Sequence, residues 1–366
     1  MTEIFSSPVP FIIRRQREWT ELRRVLADEP DAALPIIKTL LEECGALIEE
    51  ADDGRSIIAR LSGARPGHNT CFAAQLPASC VEEAADWALQ TTVALGTAQI
   101  LAARRRDWQG TVRFLFYPAG RAHQLPQKIL TDSAYVHALR SHAGPAGEVM
   151  IGHGTVASGL TRFVLRLSYR EGLTKSQWEE IMCDAVRQVA ALSTHPHLTA
   201  ENISRLLRNT AVRERCIRAG ILRTDIDRRD IRFYGYTGVY SRTLHRLTAE
   251  RLQLLAAKLE AHWNVSFSAG IFSSLPPVVN APSLCTNACE ILRGMEGVVC
   301  RGSRRLLFPF KADDYAHLQQ TAGGLLFLLG TGGKPLSGGA AEGRILETGV
   351  CVTARLLTEP LKESAG

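Results

Sequence analysis

The chain has 366 residues, 45% hydrophobic and 22% charged, with 43 Lys+Arg against 37 Asp+Glu and a net charge of +6. This is ordinary globular composition at a length that suits two domains, and it excludes a disordered or fibrous chain. The positive excess is mild and scattered along the sequence, so it does not suggest nucleic-acid binding, which normally needs a clustered basic face.

Residues 16–50 read as two helices separated by Pro30, with Trp19, Leu22, Val25 and Leu26 and then Ile36, Ile37, Leu40 and Leu41 at helix-face spacing. A hairpin-like stretch follows: residues 56–61, a Gly/Pro turn, then residues 70–74. Residues 81–106 return to helix, 107–110 form a turn, and 111–117 alternate as a strand. Further on come a strand at 162–169, a helix at 174–192, a polar stretch at 193–197 leading to another helix, a strand at 231–236 and an amphipathic helix at 244–262. The tail predicts a helix at 282–293, a buried strand at 324–329, a Gly-rich loop at 330–343 and a helix at 345–357. Strands alternating with helices indicate an α/β fold. The middle portion, with strands and two long helices of its own, reads as a smaller domain inserted into a larger one.

Nine cysteines without a repeated spacing argue against a secreted disulfide framework and for buried free thiols. Cys285 and Cys289 lack the second pair that a zinc knuckle needs. No stretch reaches the length of a membrane span, and the amino terminus lacks a long apolar core before a cleavage site. A soluble, cytoplasmic protein with no membrane partner is the expectation.

Several phrases then match one family in order along the chain. Glu21–Asp31 (ELRRVLADEPD) resembles "LRRDLHxHPE", Gly110–Ala119 (GTVRFLFYPA) resembles "GTVRFIFQPAEE", and Gly154–Phe163 (GTVASGLTRF) resembles "GPVMAAADRF". Pro276–Pro282 (PPVVNAP) resembles "PPTVNDP", Asp313–Ala316 (DDYA) resembles "SEDFA", Leu326–Gly330 (LFLLG) resembles "FFFLG", and Pro335–Leu336 resembles the start of "PLHHP". The chain thus resembles the M20 peptidase family, in the subgroup that hydrolyses N-acyl amino acids and auxin conjugates. The resemblance implies a large α/β domain with a central mixed sheet of the zinc-exopeptidase kind, formed by residues 1–160 and 276–366. It also implies an inserted α+β lid and dimerisation domain at 161–275, and hence a homodimer.

The family's chemistry implies two metals sharing a bridging water, because an amide is inert until a metal polarises its carbonyl and acidifies the attacking water. Here the ligand pattern fails. The family's "CGHDGHTA" falls on Ala85–Thr92 (ADWALQTT), so ligand positions become Ala85, Trp87 and Gln90. The "ADMDALP" loop is shortened to Ala74–Pro77, and "PAEE" ends in Gly120 and Arg121. The His of "LHVWP" falls near Leu139, two residues from His137, and the final "HH" becomes Ser337 and Gly338. The lid's "GGHAAMPH" is deleted near Arg170–Gly172. No metal and no other cofactor is therefore expected.

The candidates for what replaces the metal are as follows. Arg121 and His123 follow a strand end, where α/β folds place their sites; they offer an anion clamp and a proton-transfer group, or else a solvated loop. Asp313 and Asp314 offer a base, or else a helix cap, with Tyr315 beside them for substrate. Gln90, Thr91 and Trp87 stand where ligands once pointed, and either bind substrate or fill space. His137 and His142 line the cleft or serve as structural histidines. Asp225 falls roughly where the lid's substrate-contacting Asn lies. The Gly330–Lys334 loop lacks phosphate-loop spacing.

Three functions fit this pattern. One is a metal-independent enzyme acting by acid/base catalysis on an amino-acid-derived small molecule in specialised metabolism, through condensation, cyclisation of the Pictet–Spengler type or acyl transfer. Another is a non-catalytic homologue that binds a ligand or partner. The third is a hydrolase with a relocated metal site using His123, His137 and His142. A biosynthetic gene neighbourhood would favour the first, co-purification with a second subunit the second, and stoichiometric zinc or manganese the third.

Overall fold

The computed structural model describes residues 10–50, 54–77, 84–125, 127–168, 172–194, 215–227, 230–299, 312–333 and 340–359, together with residues 212 and 336. The expected polar stretch and helix after residue 194 lie outside them. By contacts the chain divides into two units, one of residues 1–154, 280–303 and 317–366 and the other of residues 155–279 and 304–316.

In the first unit, α1 (Pro10–Asp28) and α2 (Ala33–Glu43) are the two helices predicted around Pro30. The second helix stops earlier than predicted. Gly45 adopts φ +67°, and the N–H groups of Gly45 and Ala46 bond back to Glu42 and Leu41. That closes the helix with a left-handed glycine and frees β1 (Leu47–Glu50) to pair antiparallel with β2 (Ile57–Ser62).

The expected hairpin between residues 56 and 74 does not form. Next after β2 in sequence is β3 (Arg65–Leu76), but β4 (Gln109–Pro118) lies between them, antiparallel to β2 and parallel to β3. The crossover from β3 to β4 is α3 (Ala84–Ala103), a helix apolar on nearly all sides and buried along most of its length, as a core helix must be. Beyond β4 come α4 (Gln127–Thr131), β5 (Tyr135–His142), parallel to β3, and β6 (Val149–Met150). The chain then passes through β7 (Gly154–Ala157) into the second unit.

The second unit runs β8 (Gly159–Ser168), α5 (Lys175–Ala191), β9 (Ile217–Ile226), β10 (Asp230–Val239), α6 (Arg242–Trp263) and β11 (Phe267–Leu275). Its antiparallel sheet has the order β11-β8-β10-β9. A capping box starts α5: Thr174 Oγ1 accepts from Gln177 N–H at 3.3 Å, and Gln177 Oε1 accepts from Thr174 N–H at 2.8 Å. Phe163, Leu165, Leu167, Ile231 and Phe233 point from the sheet toward both helices and form the core of this unit.

The chain returns through β12 (Val278–Asn280), α7 (Pro282–Ile291) and β13 (Val298–Val299). After α8 (Tyr315–Thr321) come β14 (Leu326–Gly330), parallel to β5, and α9 (Ala340–Thr358), which begins five residues before its predicted start. The first unit's sheet thus has eight strands, β1-β2-β4-β3-β5-β14-β6-β13, mixed in direction. One face carries α1, α3 and α9. Gly96 lets α3 approach its neighbours: a Cβ there would lie 2.7 Å from Val350 Cγ2 and 3.1 Å from the Trp19 indole. Arg23 of α1 and Glu342 of α9 form a buried ion pair, and Arg23 also donates to Leu336 O at 2.9 Å.

Cys71, Cys285 and Cys351 carry thiols outside any disulfide, and burial pushes each up to about 12. Cys289 departs from the expectation of free thiols, being disulfide-bonded. Among the described residues, no helix is long and apolar enough to cross a membrane.

Candidate functional site

Strands β3, β4, β5 and β14 run parallel, so their carboxyl ends meet at one edge of the sheet, the edge at which open α/β folds build sites. The first turns of α3 stand at that edge and bring Trp87, Gln90 and Thr91 onto one helical stripe by their spacing of three and four residues. All three are buried. Gln90 Oε1 accepts from the Gln75 N–H at 3.2 Å, near the end of β3, and from Arg140 Nη1 at 2.8 Å. Arg140, on β5, is only 3% exposed and also donates to Leu139 O at 2.8 Å. A guanidinium that stays charged at any accessible pH is therefore built into this edge. Trp87 Nε1 and Thr91 Oγ1 have no hydrogen-bond partner among the described residues. Buried polar atoms in that state are costly, and they tend to mark places where another group is received.

His137 is fully buried on β5. Its Nδ1 accepts from the Leu325 N–H at 3.3 Å, which places the proton of the neutral ring on Nε2. Burial pushes its pKa down to about 4. Tyr135 stacks near it, with ring centroids 6.1 Å apart. His142, at the end of β5, accepts from Gly144 N–H at 3.0 Å; burial lowers its pKa, with Glu148 opposing.

Arg121 and His123 follow β4, as the sequence suggests, but both are exposed. The backbone turns at Gly120, φ +82°, and Arg121 donates to Gln124 Oε1 at 3.4 Å. His123 sits on a 3₁₀ turn, Ala122–Gln124, its ring 5.7 Å from that of His317. Burial lowers the pKa of His317, and the nearby His123 adds to the effect.

Asp313, Asp314 and Tyr315 are buried and group by contacts with the second unit. Asp313 Oδ1 accepts the Tyr315 N–H at 3.0 Å, at the start of α8. Tyr315 lies near Arg242 of the same unit, where burial lowers the Arg242 pKa and Tyr315 opposes. Ser337, Gly338 and the segment around Arg170 lie outside the described residues.

The structure sets Gln90, Thr91 and Trp87 together on α3 and places beside Gln90 a residue that the sequence reading did not name, Arg140. The signal was there. Residues 136–142 read VHALRSH, and an arginine directly after Ala138 and Leu139 in a strand-like segment is a candidate exception to the rule that charges stay outside. It stands one residue past Leu139, the position matched to a family ligand.

The described residues of this edge do not offer a ligand set for a pair of metals: Trp87 has only an N–H donor, and the Gln90 oxygen is occupied by Gln75 and Arg140. Among the described residues, no group of three or more His, Cys, Asp or Glu side chains is placed to share an ion.

No family model matches the sequence. Solved structures do match its fold over nearly its whole length. The YXEP protein of Bacillus subtilis, described as a dinuclear metal-binding peptidase of the M20 family, is 17% identical with a TM-score of 0.70, covering 94% of this chain and 98% of that one. An aminobenzoyl-glutamate utilization protein from Klebsiella pneumoniae is 15% identical with a TM-score of 0.65, covering 95% and 97%. The aminopeptidase PepT of Bacillus cereus is 10% identical with a TM-score of 0.59, covering 94% and 98%. Eight-stranded mixed sheet, inserted four-stranded sheet and full-length overlap lead to one conclusion: the chain has the fold of the M20 peptidases and amidohydrolases.

Proposed function

We propose that the protein is an enzyme of amidohydrolase-type fold that works without a resident metal, by acid/base chemistry on an amino-acid-derived small molecule. The observation that carries this reading is the Arg140–Gln90 contact at the carboxyl edge of the parallel strands. A buried guanidinium supplies fixed positive charge for a substrate carboxylate or a developing oxyanion. It cannot ionise a water for attack, which is the part of amide hydrolysis that a metal performs. Condensation, ring closure of the Pictet–Spengler kind and acyl transfer need only an acid, a base and a held substrate, and they suit such a site. Trp87 and Thr91, with unpaired buried polar atoms beside Gln90, are the substrate-facing groups in this reading. Arg121, His137 and Tyr315 remain binding candidates. His123, Asp313 and Asp314 remain candidates for proton transfer, each open to test by its own substitution.

The same reading takes the protein as a homodimer through residues 161–275. Exposed Leu222 and Ile226 on the edge strand β9 support it, and light scattering on the purified chain tests it.

The functional reading is tested on chelator-treated protein. Metal content is measured by mass spectrometry, and binding of N-acyl and aromatic amino acids by thermal shift. Retained binding that Arg140→Met abolishes supports the reading. Stoichiometric zinc or manganese whose removal also removes ligand binding sinks it.

A further inference from the structure

The second unit's sheet gathers charge that the sequence scatters. Its core residues point to α5 and α6, so the alternate residues of β8 and β10 point the other way. On that open face the register sets Arg166 beside Arg232, Val164 beside Tyr234, and Arg162 beside Tyr236. Strand β9 adds Asp225 beside Arg232, Arg223 beside Tyr234, and Arg218 beside Gly238. Asp230 takes Arg166 and, at 3.1 Å, Arg232, while Arg223 reaches Asp225 at 2.9 Å. Five arginines thus face two aspartates. The Arg166, Arg223 and Arg232 side chains keep 52%, 65% and 38% of their surface open.

Aromatic rings lie among these charges. The Arg223 guanidinium covers the Tyr234 ring at 4.6 Å from its centroid, and Phe272 stands edge-on to Tyr234 at 6.3 Å. Tyr236 lies over Gly220, where a Cβ would meet the ring at 3.2 Å. Tyr234 and Tyr236 share one face of a central strand, about 7 Å apart along it.

We propose that this face binds single-stranded nucleic acid. Tyr234 and Tyr236 stack on successive bases, and Arg162 and Arg223 take backbone phosphates. The pairing of rings with cations selects this occupant. A duplex keeps its bases stacked inside and offers nothing to the tyrosines, and a sulfated polysaccharide has no flat rings. The inference is independent of the function proposed for the first unit.

The test is fluorescence anisotropy of the full chain with a labelled single-stranded oligothymidine of about twenty nucleotides, with a duplex of the same length as competitor. Two phosphate contacts predict a loss of affinity of roughly sevenfold between about 50 and about 200 mM salt. Tyr234→Ala is expected to weaken binding about tenfold. Arg162→Ala, at an exposed position, is expected to lower the salt slope by roughly one phosphate's share, and it decides the matter should Tyr234→Ala alter the melting curve. The absence of saturable binding at low salt overturns the proposal. So does equal competition by duplex, or an affinity and salt slope that Arg162→Ala leaves unchanged.

Discussion

Arg140 Nη1 lies 2.8 Å from Gln90 Oε1, a contact that ties β5 to α3 across 50 residues of sequence. The guanidinium is buried, so its acceptors matter more than those of a surface arginine. Gln90→Leu removes one of them and is expected to cost about 2 kcal/mol in urea unfolding, the cost of depriving a buried charged donor. Gln90→Glu supplies a carboxylate in the same place. It is expected to hold stability better than Gln90→Leu, since the buried donor keeps an acceptor, while weakening any anionic ligand, because a negative charge then stands beside it. A titration that finds the two variants equally impaired in ligand binding and equally unstable would remove Arg140 from the site.

His137 gives a pH dependence with a definite sign. Its folded pKa of about 4 lies below the ordinary value of 6.5 because burial disfavours the imidazolium. The unfolded chain therefore binds a proton that the folded chain refuses. No penalty is present above about pH 6.5; it grows as pH falls and is complete below about 4, where it reaches roughly 3 kcal/mol. Urea midpoints measured from neutral to acid pH should fall more steeply in the parent than in His137→Leu. Parallel curves would mean that His137 is solvated in the folded protein.

Gly96 is held by close approach. Gly96→Ala drives a methyl group into Val350 and Trp19 and is expected to cost about 1–3 kcal/mol, the usual penalty of overfilling a core. Val350→Ala clears the nearer of the two obstacles, so Gly96→Ala combined with Val350→Ala should cost less than the sum of the single changes. Simple additivity in thermal melts would mean that the helices do not meet there.

The Arg23–Glu342 pair is buried on both sides. Glu342→Gln leaves a charge without its counterion and is expected to cost about 3 kcal/mol. Replacing both residues by leucine should recover most of that loss, since an apolar pair of similar volume needs no desolvation of ions. If the double variant were the less stable one in denaturant titrations, the pair would be a net source of stability.

Much of the fold was legible because periodicity and punctuation agreed. Pro30 divides the first helices, Thr174 and Gln177 announce the start of α5, and the alternation in Arg162–Leu167 marks β8. The failures have physical causes. The strand at Leu47–Glu50 was absorbed into a helix because its four residues, LIEE, carry no strand signature of their own. The position of β4 between β2 and β3 depends on long-range pairing, which no local pattern reports. At the site, phrase matching pointed to Arg121 and Gln90 and passed over Arg140, whose burial beside Gln90 comes from the pairing of β5 within the sheet and not from any local pattern. The basic face of the second unit was equally hidden, because Arg166 and Arg232 meet only through strand register.

The insertion of β4 also bears on synthesis. When residues 57–76 leave the ribosome, β2 and β3 are close in sequence and joined by a short turn, and nothing yet separates them. The strand that must come between is made only after α3, so a premature hairpin competes with the native arrangement until residue 118 has emerged. A nascent chain halted before that point cannot form the centre of its sheet, and the amino-terminal third of the protein must wait for its own middle.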